Sequence, residues 1–439
     1  RSDRSLPPTP TPSRTPTITP TANLVQPTLG PYWSTPQRAP PTEIPPPAAR
    51  LELPESVVNI LLMGSDVAVS GEVRTDTIIV VSIDKAAGTV TLLSIPRDVY
   101  VFIPGNTMGT INTAVSVTRY APDGPAALLA QTIIYNFGIP IHYYAKIEIG
   151  DFVSIVDTLG GIEVPVSCDF SDQLLVSPDA DPSKAESWTE FFVPRGVQIM
   201  DGVTAMWYSR LRKTTDDQDR SRRQQEVLRA IFQRAKRLDM LGQVPALYEQ
   251  YKHLVDTDMG RWDVMQFVPL ALDFSYDNAR SYTIRAPYLS AWDGDPRFPS
   301  AQLPDYELLS WYLESILTAP PTNRLADAPY VAEVWNGAAW EDADELAAYN
   351  LRLNGLAAII GEADRRDYAE TTVVDYTLSD KGSPLPVILK MLHLDESRVI
   401  DQPEADSPVQ FRVILGEDYD SCPLTGNPYY PIPRPTPDQ

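Results

Sequence analysis

The chain has 439 residues, of which 43% are hydrophobic, and a formal net charge of -22. This length predicts two or three domains at about 150 residues each, with enough apolar residues for sizeable cores. The acidic balance argues against nucleic acid as the main partner, because phosphate backbones repel an acidic surface. An anionic ligand therefore requires a local patch of positive charge.

Residues 1–50 are rich in proline and threonine and contain 14 of the 43 prolines. Because proline fixes φ and removes an amide donor, they are predicted to form an extended, polyproline-like stalk, with a plain disordered linker as the alternative. The chain begins with Arg1 rather than methionine, as a trimmed sequence would, and has no apolar run long enough to span a bilayer, so any membrane anchor would lie upstream of Arg1. Cys168 and Cys422 suit a secreted protein, and the sequence leaves their pairing open.

Strand and helix patterns alternate from residue 55 onwards, which predicts a layered α/β domain over residues 51–320. Residues 171–193 are polar and irregular and are predicted to form a loop or insertion. The predicted helices cover residues 122–138, 151–161 and 219–241. The predicted strands are VVNILLMG, TIIVVSID, TVTLLSIP, HYYAKIEI and IEVPV.

A second, smaller α/β domain is predicted over residues 328–420, after a linker at 321–327. Its pattern is strand, helix, strand, helix, strand, with the helices over residues 341–359 and 384–394. A proline-rich tail follows at 421–439. The predicted fold class is thus α/β throughout, with a βαβαβ unit at the C-terminal end.

Residues 207–237 are basic in an otherwise acidic chain, with ten Lys or Arg and four Asp or Glu. Arg210 and Arg212 alternate, as neighbours on one face of a strand would. A helix N-terminus with guanidinium groups suits phosphate, whereas a solvated charged helix face is the alternative. Within this basic segment, three aspartates lie where the N-cap of the helix is expected: Asp216, Asp217 and Asp219. Three side chains then share one face of its first turns: Arg220, Arg223 and Gln224.

Charged residues also lie at the ends of the first three predicted strands. The first strand ends with Asp66, and the second opens with Arg74 and Asp76. The third ends with Arg97 and Asp98. Adjacent strands of α/β sheets place their sites at such ends, and two close carboxylates suit Mg²⁺ together with substrate phosphates. The alternative is that these residues pair with one another as salt bridges.

The combination and order of these motifs resemble the LytR–CpsA–Psr family over roughly residues 55–320. The resemblance rests on NILLMGSD, RTDTIIVVSID, VTLLSIPRD, GTINTA and YSRLRKTTDDQDRSRRQQ. It implies a membrane-anchored, extracytoplasmic enzyme of the cell envelope with an α-β-α fold around a mixed sheet. Members transfer an anionic glycopolymer from a polyprenyl-pyrophosphate carrier to peptidoglycan, and some also hydrolyse pyrophosphate. Their lipid substrate occupies an apolar tunnel between sheet and helices.

The resemblance also implies roles for individual residues. Asp66 and Asp76 match the Mg²⁺ ligands, and Asp98 and Asp217 match residues that orient the arginines or activate the acceptor hydroxyl. The implied pyrophosphate clamp consists of Arg74, Arg97, Arg210, Arg212 and Arg220, with Arg223 and Gln224 lining or supporting it.

Two positions depart from the family pattern. Members often have an arginine where this chain has Ala68, and often an aspartate where it has Thr215. These departures thin the clamp and remove a carboxylate. A non-catalytic cell-surface protein that binds lipid or glycan, or that builds an extracellular assembly, is therefore the alternative function.

Residues 328–420 resemble the small LytR C-terminal domain that follows some members of the family. The resemblance rests on YVAEVWNGA, TTVVDYT and VQFRVILGEDY. It implies an architecture rather than an activity, and a binding or spacing module is the expected role.

Overall fold

The structure is a computed structural model. It describes residues 42–67, 73–116, 124–176, 181, 183–212, 215, 217–240, 248, 253–274, 279–318, 330–353, 356–377 and 383–422. Only the backbone is described for Asp66, Val67, Val73, Arg74 and Gln218. Most of the predicted stalk, the linker, nearly all of the predicted tail, Ala68 and Asp216 lie outside the described residues.

The first domain is built from short strands and seven described helices. The strands are β1 (Val57–Val67), β2 (Val73–Asp84), β3 (Thr89–Ser94), β4 (Tyr100–Phe102), β5 (Met108–Thr110), β6 (Tyr143–Glu148), β7 (Ile162–Val166), β8 (Phe170–Leu175), β9 (Trp188–Val193), β10 (Gly196–Met200), β11 (Asp256–Thr257), β12 (Ala279–Thr283), β13 (Leu289–Ala291) and β14 (Gln302–Pro304). The helices are α1 (Pro125–Phe137), α2 (Ile149–Thr158), α3 (Gly202–Arg210), α4 (Asp217–Arg237), α5 (Arg261–Met265), α6 (Val268–Asp273) and α7 (Tyr306–Leu317).

A six-stranded mixed sheet forms the centre of this domain, with the strand order β11-β6-β1-β2-β3-β12. Strand β2 is antiparallel to both β1 and β3, whereas β6 is parallel to β1. The end of β1, the start of β2 and the end of β3 therefore meet at one edge, as the strand-end motifs predicted. Helices α1 and α7 join the main apolar core, and α2, α3 and α4 surround a second core with β7. This arrangement confirms the predicted α-β-α layering.

Helix ends follow local sequence signals. Proline stands at the N-terminus of α1, and Gly138 ends the helix in the left-handed conformation at φ 69°. Helix α3 begins after Asp201, whose carboxylate accepts a hydrogen bond of 2.8 Å from the Thr204 amide. The predicted strand around Arg210 and Arg212 is wrong, because α3 continues to Arg210 with its buried residues at helical spacing.

The predicted loop at residues 171–193 is also wrong in part. Strands β8 and β9 form an antiparallel hairpin that runs from the pair Phe170–Val193 to the pair Leu175–Trp188. Most residues of the hairpin are partly or fully exposed, so its strands tolerate the polar residues that suggested a loop.

The second domain has five strands and two helices. They are β15 (Val331–Asn336), α8 (Ala343–Leu353), β16 (Ala357–Gly361), β17 (Thr372–Asp375), α9 (Leu385–Leu392), β18 (Val399–Asp401) and β19 (Phe411–Leu415). The sheet order is β16-β15-β19-β17-β18, and the helices pack on an apolar core of their own. The predicted βαβαβ elements are present, together with β16 and β18. The helix predicted to residue 359 ends earlier, at Leu353, because the apolar run at residues 357–361 pairs with β15 as a strand.

The two cysteines form a disulfide between residues 254 positions apart, with a Cα–Cα distance of 4.6 Å. The bond joins the connection between β7 and β8 to the segment after β19. Beside it, the Ser421 hydroxyl donates a hydrogen bond of 2.6 Å to the Ser167 carbonyl. The second domain is thus covalently attached to the first at both of its ends.

The last residues of the predicted stalk lie along α1. The Ala48 amide donates to the Tyr135 carbonyl at 2.8 Å, and the Tyr135 hydroxyl donates to the Pro45 carbonyl at 3.0 Å. A third bond of 2.9 Å joins the Leu51 amide to the Gly138 carbonyl. Within the described ranges, none of the helices has the length and apolar character needed to cross a bilayer.

Candidate active site

A β-bulge places an acidic side chain at the strand edge. The register of β1 and β2 shifts so that Ser65 lies opposite Thr75 and Gly64 lies opposite Thr77, which makes Asp76 the additional residue on β2. Bulges of this kind change the direction of a side chain and are frequent beside active sites. The Asp76 side chain is 31% exposed and meets the residues that follow β3.

Six residues at this edge form a chain of alternating charge, which we call the mouth cluster: Asp76, Arg97, Asp98, Arg212, Asp217 and Arg220. Arg97 donates from Nη1 to Asp76 Oδ1 at 2.5 Å, and its Nε lies 3.5 Å from Asp98 Oδ2. Backbone bonds hold this part of the chain, since the Arg97 carbonyl accepts from Asn112 and the Asp98 carbonyl accepts from Gln302.

The helical half of the mouth cluster comes from the connection between α3 and α4 and from the first turn of α4. Arg212 Nη1 donates to Asp217 Oδ1 at 2.9 Å and lies 3.8 Å from Asp98 Oδ2. Arg220 Nη2 lies 3.2 Å from the same Asp217 oxygen. Residues from a strand end, a loop and a helix N-terminus thus converge on one patch of three guanidinium groups.

Burial shapes the electrostatics of the mouth cluster. Burial lowers the pKa of Arg220 although the Asp217 carboxylate opposes the shift, and it raises the pKa of Asp98 with a contribution from Asp217. For Arg97, the carboxylates of Asp76 and Asp98 outweigh burial and raise the pKa. The buried Nε of Arg220 has no hydrogen-bond partner among the described residues. A buried cationic donor of this kind suits an anionic ligand.

A cavity of about 860 Å³ opens beside the mouth cluster, between the sheet and helices α2, α3 and α4. Its polar lining residues include Ser65, Asp76 and Glu148, which meet at the strand ends, and Arg210 and Gln224 from the helices. Its walls are apolar, with residues from β1, β2, β6 and the three helices: Leu62, Met63, Ile79, Ala145, Ile147, Ile149, Phe152, Met206, Val227, Leu228 and Ile231.

A second group of charges lies behind the mouth cluster, and we call it the buried cluster: Tyr208, Asp219, Arg222, Arg223 and Glu226. The Arg223 side chain is fully buried and lies over the Phe170 ring at 4.1 Å. Its Nε donates to Asp219 Oδ2 at 2.9 Å, and its Nη groups donate to the Tyr208 and Leu211 carbonyls.

The rest of the buried cluster is joined in the same way. Arg222 bridges Asp219 and Glu226, and the Tyr208 hydroxyl donates to Glu226 Oε2 at 2.9 Å. Burial raises the pKa of Tyr208 and of Glu226. Burial also raises the pKa of Asp219, but the guanidinium groups of Arg222 and Arg223 outweigh it and lower that pKa.

The structure brings most of the predicted site residues together. Arg210 and Gln224 line the cavity, whereas Arg223 lies behind the mouth cluster and holds the loop that carries Arg212. Asp66 and Arg74 are opposite each other in the β1–β2 register, and only the backbone of these two residues is described. The Thr215 hydroxyl accepts a hydrogen bond of 3.0 Å from Arg223 Nη2, so this residue, which departs from the family pattern, contacts the buried cluster.

Sequence reasoning missed the buried partners of these arginines. Glu226 and Tyr208 are embedded in the helices, and Ser65 and Glu148 stand at the cavity mouth. The spacing of Arg222 and Glu226 is a signal that was available, because oppositely charged residues four apart on a helix face each other. The contacts of Tyr208 and Glu148 depend on tertiary packing and carry no local signal.

Comparison with known proteins decides the family. Residues 38–295 match the model of the LytR_cpsA_psr family. The chain belongs to the LytR–CpsA–Psr family. The polyisoprenyl-teichoic acid–peptidoglycan teichoic acid transferase TagV of Bacillus subtilis is 29% identical over 216 residues, which are 48% of this chain and 51% of that protein.

Other members of the LytR–CpsA–Psr family are similarly related. The probable cell wall biosynthesis protein LcpB of Corynebacterium glutamicum is 35% identical over 188 residues, 43% of this chain and 40% of that protein. The crystal structure of B. subtilis TagV is 24% identical, covers 60% of this chain and 98% of that chain, and gives a TM-score of 0.48. The chain spans about half the length of the relatives that it matches.

Proposed function

We propose that this LytR–CpsA–Psr protein is an extracytoplasmic phosphotransferase that moves an anionic glycopolymer from a polyprenyl-pyrophosphate carrier to a peptidoglycan acceptor. The observation that carries the proposal is the mouth cluster at the polar end of an apolar cavity. An amphiphilic substrate with a compact anionic head and an apolar tail matches this arrangement. The names of relatives such as TagV and LcpB support a role in cell-wall biosynthesis.

Substrate binding uses the two halves of the site differently. The guanidinium groups of Arg97, Arg212 and Arg220 neutralise the pyrophosphate, with forked donors that suit phosphate oxygens. Arg210 and Gln224 line the cavity mouth, where the pyrophosphate continues into the lipid. Because the chain is acidic overall, these guanidinium donors, together with Arg210, supply the attraction for an anion that the rest of the surface lacks.

In the transfer step, an acceptor hydroxyl attacks the phosphorus that carries the glycopolymer. A new oxygen–phosphorus bond forms as the bond to the bridging oxygen breaks, and polyprenyl phosphate leaves with the pair of electrons. Asp98 accepts the hydroxyl proton, because burial raises its pKa and makes it a stronger base than an exposed aspartate. The arginines stabilise the charge that develops on the leaving phosphate. Water in place of the acceptor gives pyrophosphate hydrolysis as a side activity.

The cofactor in this proposal is Mg²⁺, held by Asp76 and Asp66. The fit rests on Asp76, a partly exposed carboxylate at the bulge beside the mouth cluster, and on the strand position of Asp66 next to it. Mg²⁺ is bound in proteins by one or two carboxylates together with substrate phosphates. Bound there, the cation neutralises pyrophosphate charge. The described residues contain no group of three or more His, Cys, Asp or Glu that could hold a metal, so substrate and water would complete the coordination.

The disulfide supports a location outside the cytoplasm. Structural disulfides persist in oxidising compartments and are rare where thiols are kept reduced. The Cys168–Cys422 bond is therefore consistent with a cell-envelope protein. A membrane anchor upstream of Arg1 stays a prediction.

The test is incubation of the protein with a lipid-linked pyrophosphoryl saccharide, Mg²⁺ and peptidoglycan. We expect release of polyprenyl phosphate together with attachment of the saccharide to the wall. Arg97→Ala should abolish both, whereas Arg237→Ala, which removes an ion pair to Glu163 away from the cavity, should not. Binding of the lipid without release in the presence of acceptor would support the non-catalytic lipid-binding alternative instead.

A further inference from the structure

The second domain is held against the first near the buried cluster. Helix α8 packs against β7 and β10 of the first domain. Around this contact, the Arg195 guanidinium lies over the Trp340 ring at 4.9 Å, and Trp340 stacks on Tyr419 with 6.2 Å between ring centroids. The Cys168–Cys422 disulfide closes the same side of the interface. The second domain is therefore held in one position against the first by packing contacts as well as by the disulfide.

Helix α8 presents two residues to this interface. Leu346 is fully buried, yet it does not belong to the apolar core of its own domain. Tyr349 lies three residues further along, on the same helix face, and its hydroxyl oxygen is buried. Burial raises the pKa of Tyr349, with a further contribution from Glu226, while Arg229 and Arg222 oppose it. Arg229 is also a hydrogen-bonding neighbour of the Tyr349 side chain, which places Tyr349 against α4 one turn beyond Glu226.

Glu226 connects this contact to the substrate-binding loop. Its carboxylate accepts hydrogen bonds from the Tyr208 hydroxyl and from Arg222. Arg223, on the next turn towards the N-terminus, donates to the carbonyls of Tyr208 and Leu211, which flank the segment carrying Arg210. A shift of Glu226 or of α4 at this point is thus transmitted to the end of α3 and the start of the connection after it, which carry Arg210 and Arg212.

We infer that Tyr349 is a positioning residue for the proposed transferase site: it seats the second domain on α4 and fixes the arginines of the α3–α4 connection through the buried cluster. The inference rests on the proposed function for its catalytic consequence only. It gives the second domain a role beyond spacing or binding. Tyr349 does not touch the substrate, so its effect passes through Glu226, Arg222 and Arg223.

The experiment uses the full chain with Tyr349→Ala, the conservative variant Tyr349→Phe, and Asp344→Asn as a control on the same helix. Hydrogen exchange is measured for residues 208–212 and 217–226, and transfer is measured with the lipid-linked pyrophosphoryl saccharide. For Tyr349→Ala we expect faster exchange in both segments and a kcat lower by about 10- to 100-fold, the scale of a small misplacement of catalytic groups. The KM for the acceptor should stay within about twofold, because a positioning residue that touches no substrate affects kcat more than binding.

Rescue separates positioning from general loss of structure. Tyr349→Phe keeps the ring in the interface and should recover most of the kcat and of the exchange protection, while Asp344→Asn should match wild type. If Tyr349→Ala fails to fold, the double variant Cys168→Ser/Cys422→Ser replaces it, since removal of the disulfide weakens the same interface between the two domains. Its expected result is the same faster exchange and lower kcat.

The outcomes also separate this inference from the proposed function. The inference would be overturned if a folded Tyr349→Ala variant, or the double cysteine variant, showed the same hydrogen exchange and the same kcat as the control. The transferase proposal would then remain intact. A wild-type protein without transfer activity would overturn the proposed function. In that case the exchange of residues 208–212 still decides whether Tyr349 positions the loop.

Discussion

The mouth cluster and the buried cluster meet on helix α4, which contributes Asp217 and Arg220 to the first and Arg223 to the second, yet the two clusters differ in how their donors are used. Arg223 is fully buried and donates to a carboxylate, two carbonyls and a threonine hydroxyl. Arg220 lies three residues earlier with a 4% exposed side chain, and its buried Nε has no partner among the described residues.

The difference teaches how to separate a binding arginine from a structural one. Burial and charge are similar for Arg220 and Arg223, so neither property distinguishes them. The distribution of hydrogen bonds does, because a saturated guanidinium closes a network whereas an unsaturated one beside a cavity leaves a donor for a ligand. On this criterion we propose that Arg220 binds substrate, whereas Arg223 holds the connection that carries Arg212.

The largest expected effect is on the stability of the buried cluster. Arg223→Ala leaves the Asp219 carboxylate and two backbone carbonyls with fewer partners in the interior. We expect a loss of about 3–5 kcal/mol in the free energy of unfolding, as for other broken buried ion pairs. Chemical denaturation of the variant and of Arg237→Ala, an exposed pair on the same helix, measures the difference. A loss below about 1 kcal/mol, the value for a surface ion pair, would contradict the structural role.

Arg220→Ala should act on catalysis instead. Asp217 keeps its bond to Arg212 in this variant, so we expect a smaller loss of stability than for Arg223→Ala. Removing one donor to the developing charge is expected to cost about 2–4 kcal/mol of transition-state stabilisation, which is roughly 30- to 900-fold in kcat/KM. Steady-state transfer assays report this value. Full activity together with a large loss of stability would reverse the assignments of Arg220 and Arg223.

The two clusters should also respond oppositely to pH. The pKa of Asp219 is lowered in the fold, so its contribution to stability is present above the unfolded value of about 3.9 and is lost as the pH falls through the folded pKa. The pKa of Asp98 is raised, so its ionisation costs stability as the pH rises from about 3.9 through the folded value.

Unfolding measured at several pH values compares Asp219→Asn and Asp98→Asn with wild type. Asp219→Asn should lose the most stability at neutral pH and approach wild type in acid. Asp98→Asn should gain relative to wild type as the pH rises through the same acidic range. Parallel curves for the two variants would show that the clusters do not differ in this way.

The sequence predicted the residues of the mouth cluster but not the contacts that distinguish Arg223 from Arg220. The strand-end motifs identified Asp76 and Arg97 as neighbours, because strand order determines that proximity, and the family resemblance added Arg220 to the same site. The role of Arg223 depends on carbonyls at Tyr208 and Leu211, which approach it only after α3 turns back on α4. Periodicity carries no information on such contacts.

The other failures of prediction have similar causes. The strand expected at Arg210 was an alternation of two charged residues over too short a span to outweigh a capped helix. The end of α8 was overlooked because an apolar run fits a buried strand as well as a helix. The sequence left the pairing of Cys168 and Cys422 open, because their proximity depends on how the two domains pack.

The smallest expected effect comes from Thr215, one of the two departures from the family pattern. Thr215→Val removes the hydroxyl that accepts from Arg223, which keeps its three other bonded groups. We expect a loss of about 1 kcal/mol in the free energy of unfolding, the net value of a typical hydrogen bond. Denaturation measures it, with Thr215→Ser as the control that retains the hydroxyl. Equal losses for both variants would exclude the hydroxyl as the cause.

The most direct test of the central claim is calorimetric binding of geranyl pyrophosphate to the protein, with geranyl phosphate and inorganic pyrophosphate as partial ligands. The mouth cluster and the apolar cavity together predict that the complete molecule binds one to one and more tightly than either partial ligand. Arg220→Ala should weaken its binding at least tenfold, whereas Arg237→Ala should not. Equal affinities for the three ligands, or binding unaffected by Arg220→Ala, would contradict the account.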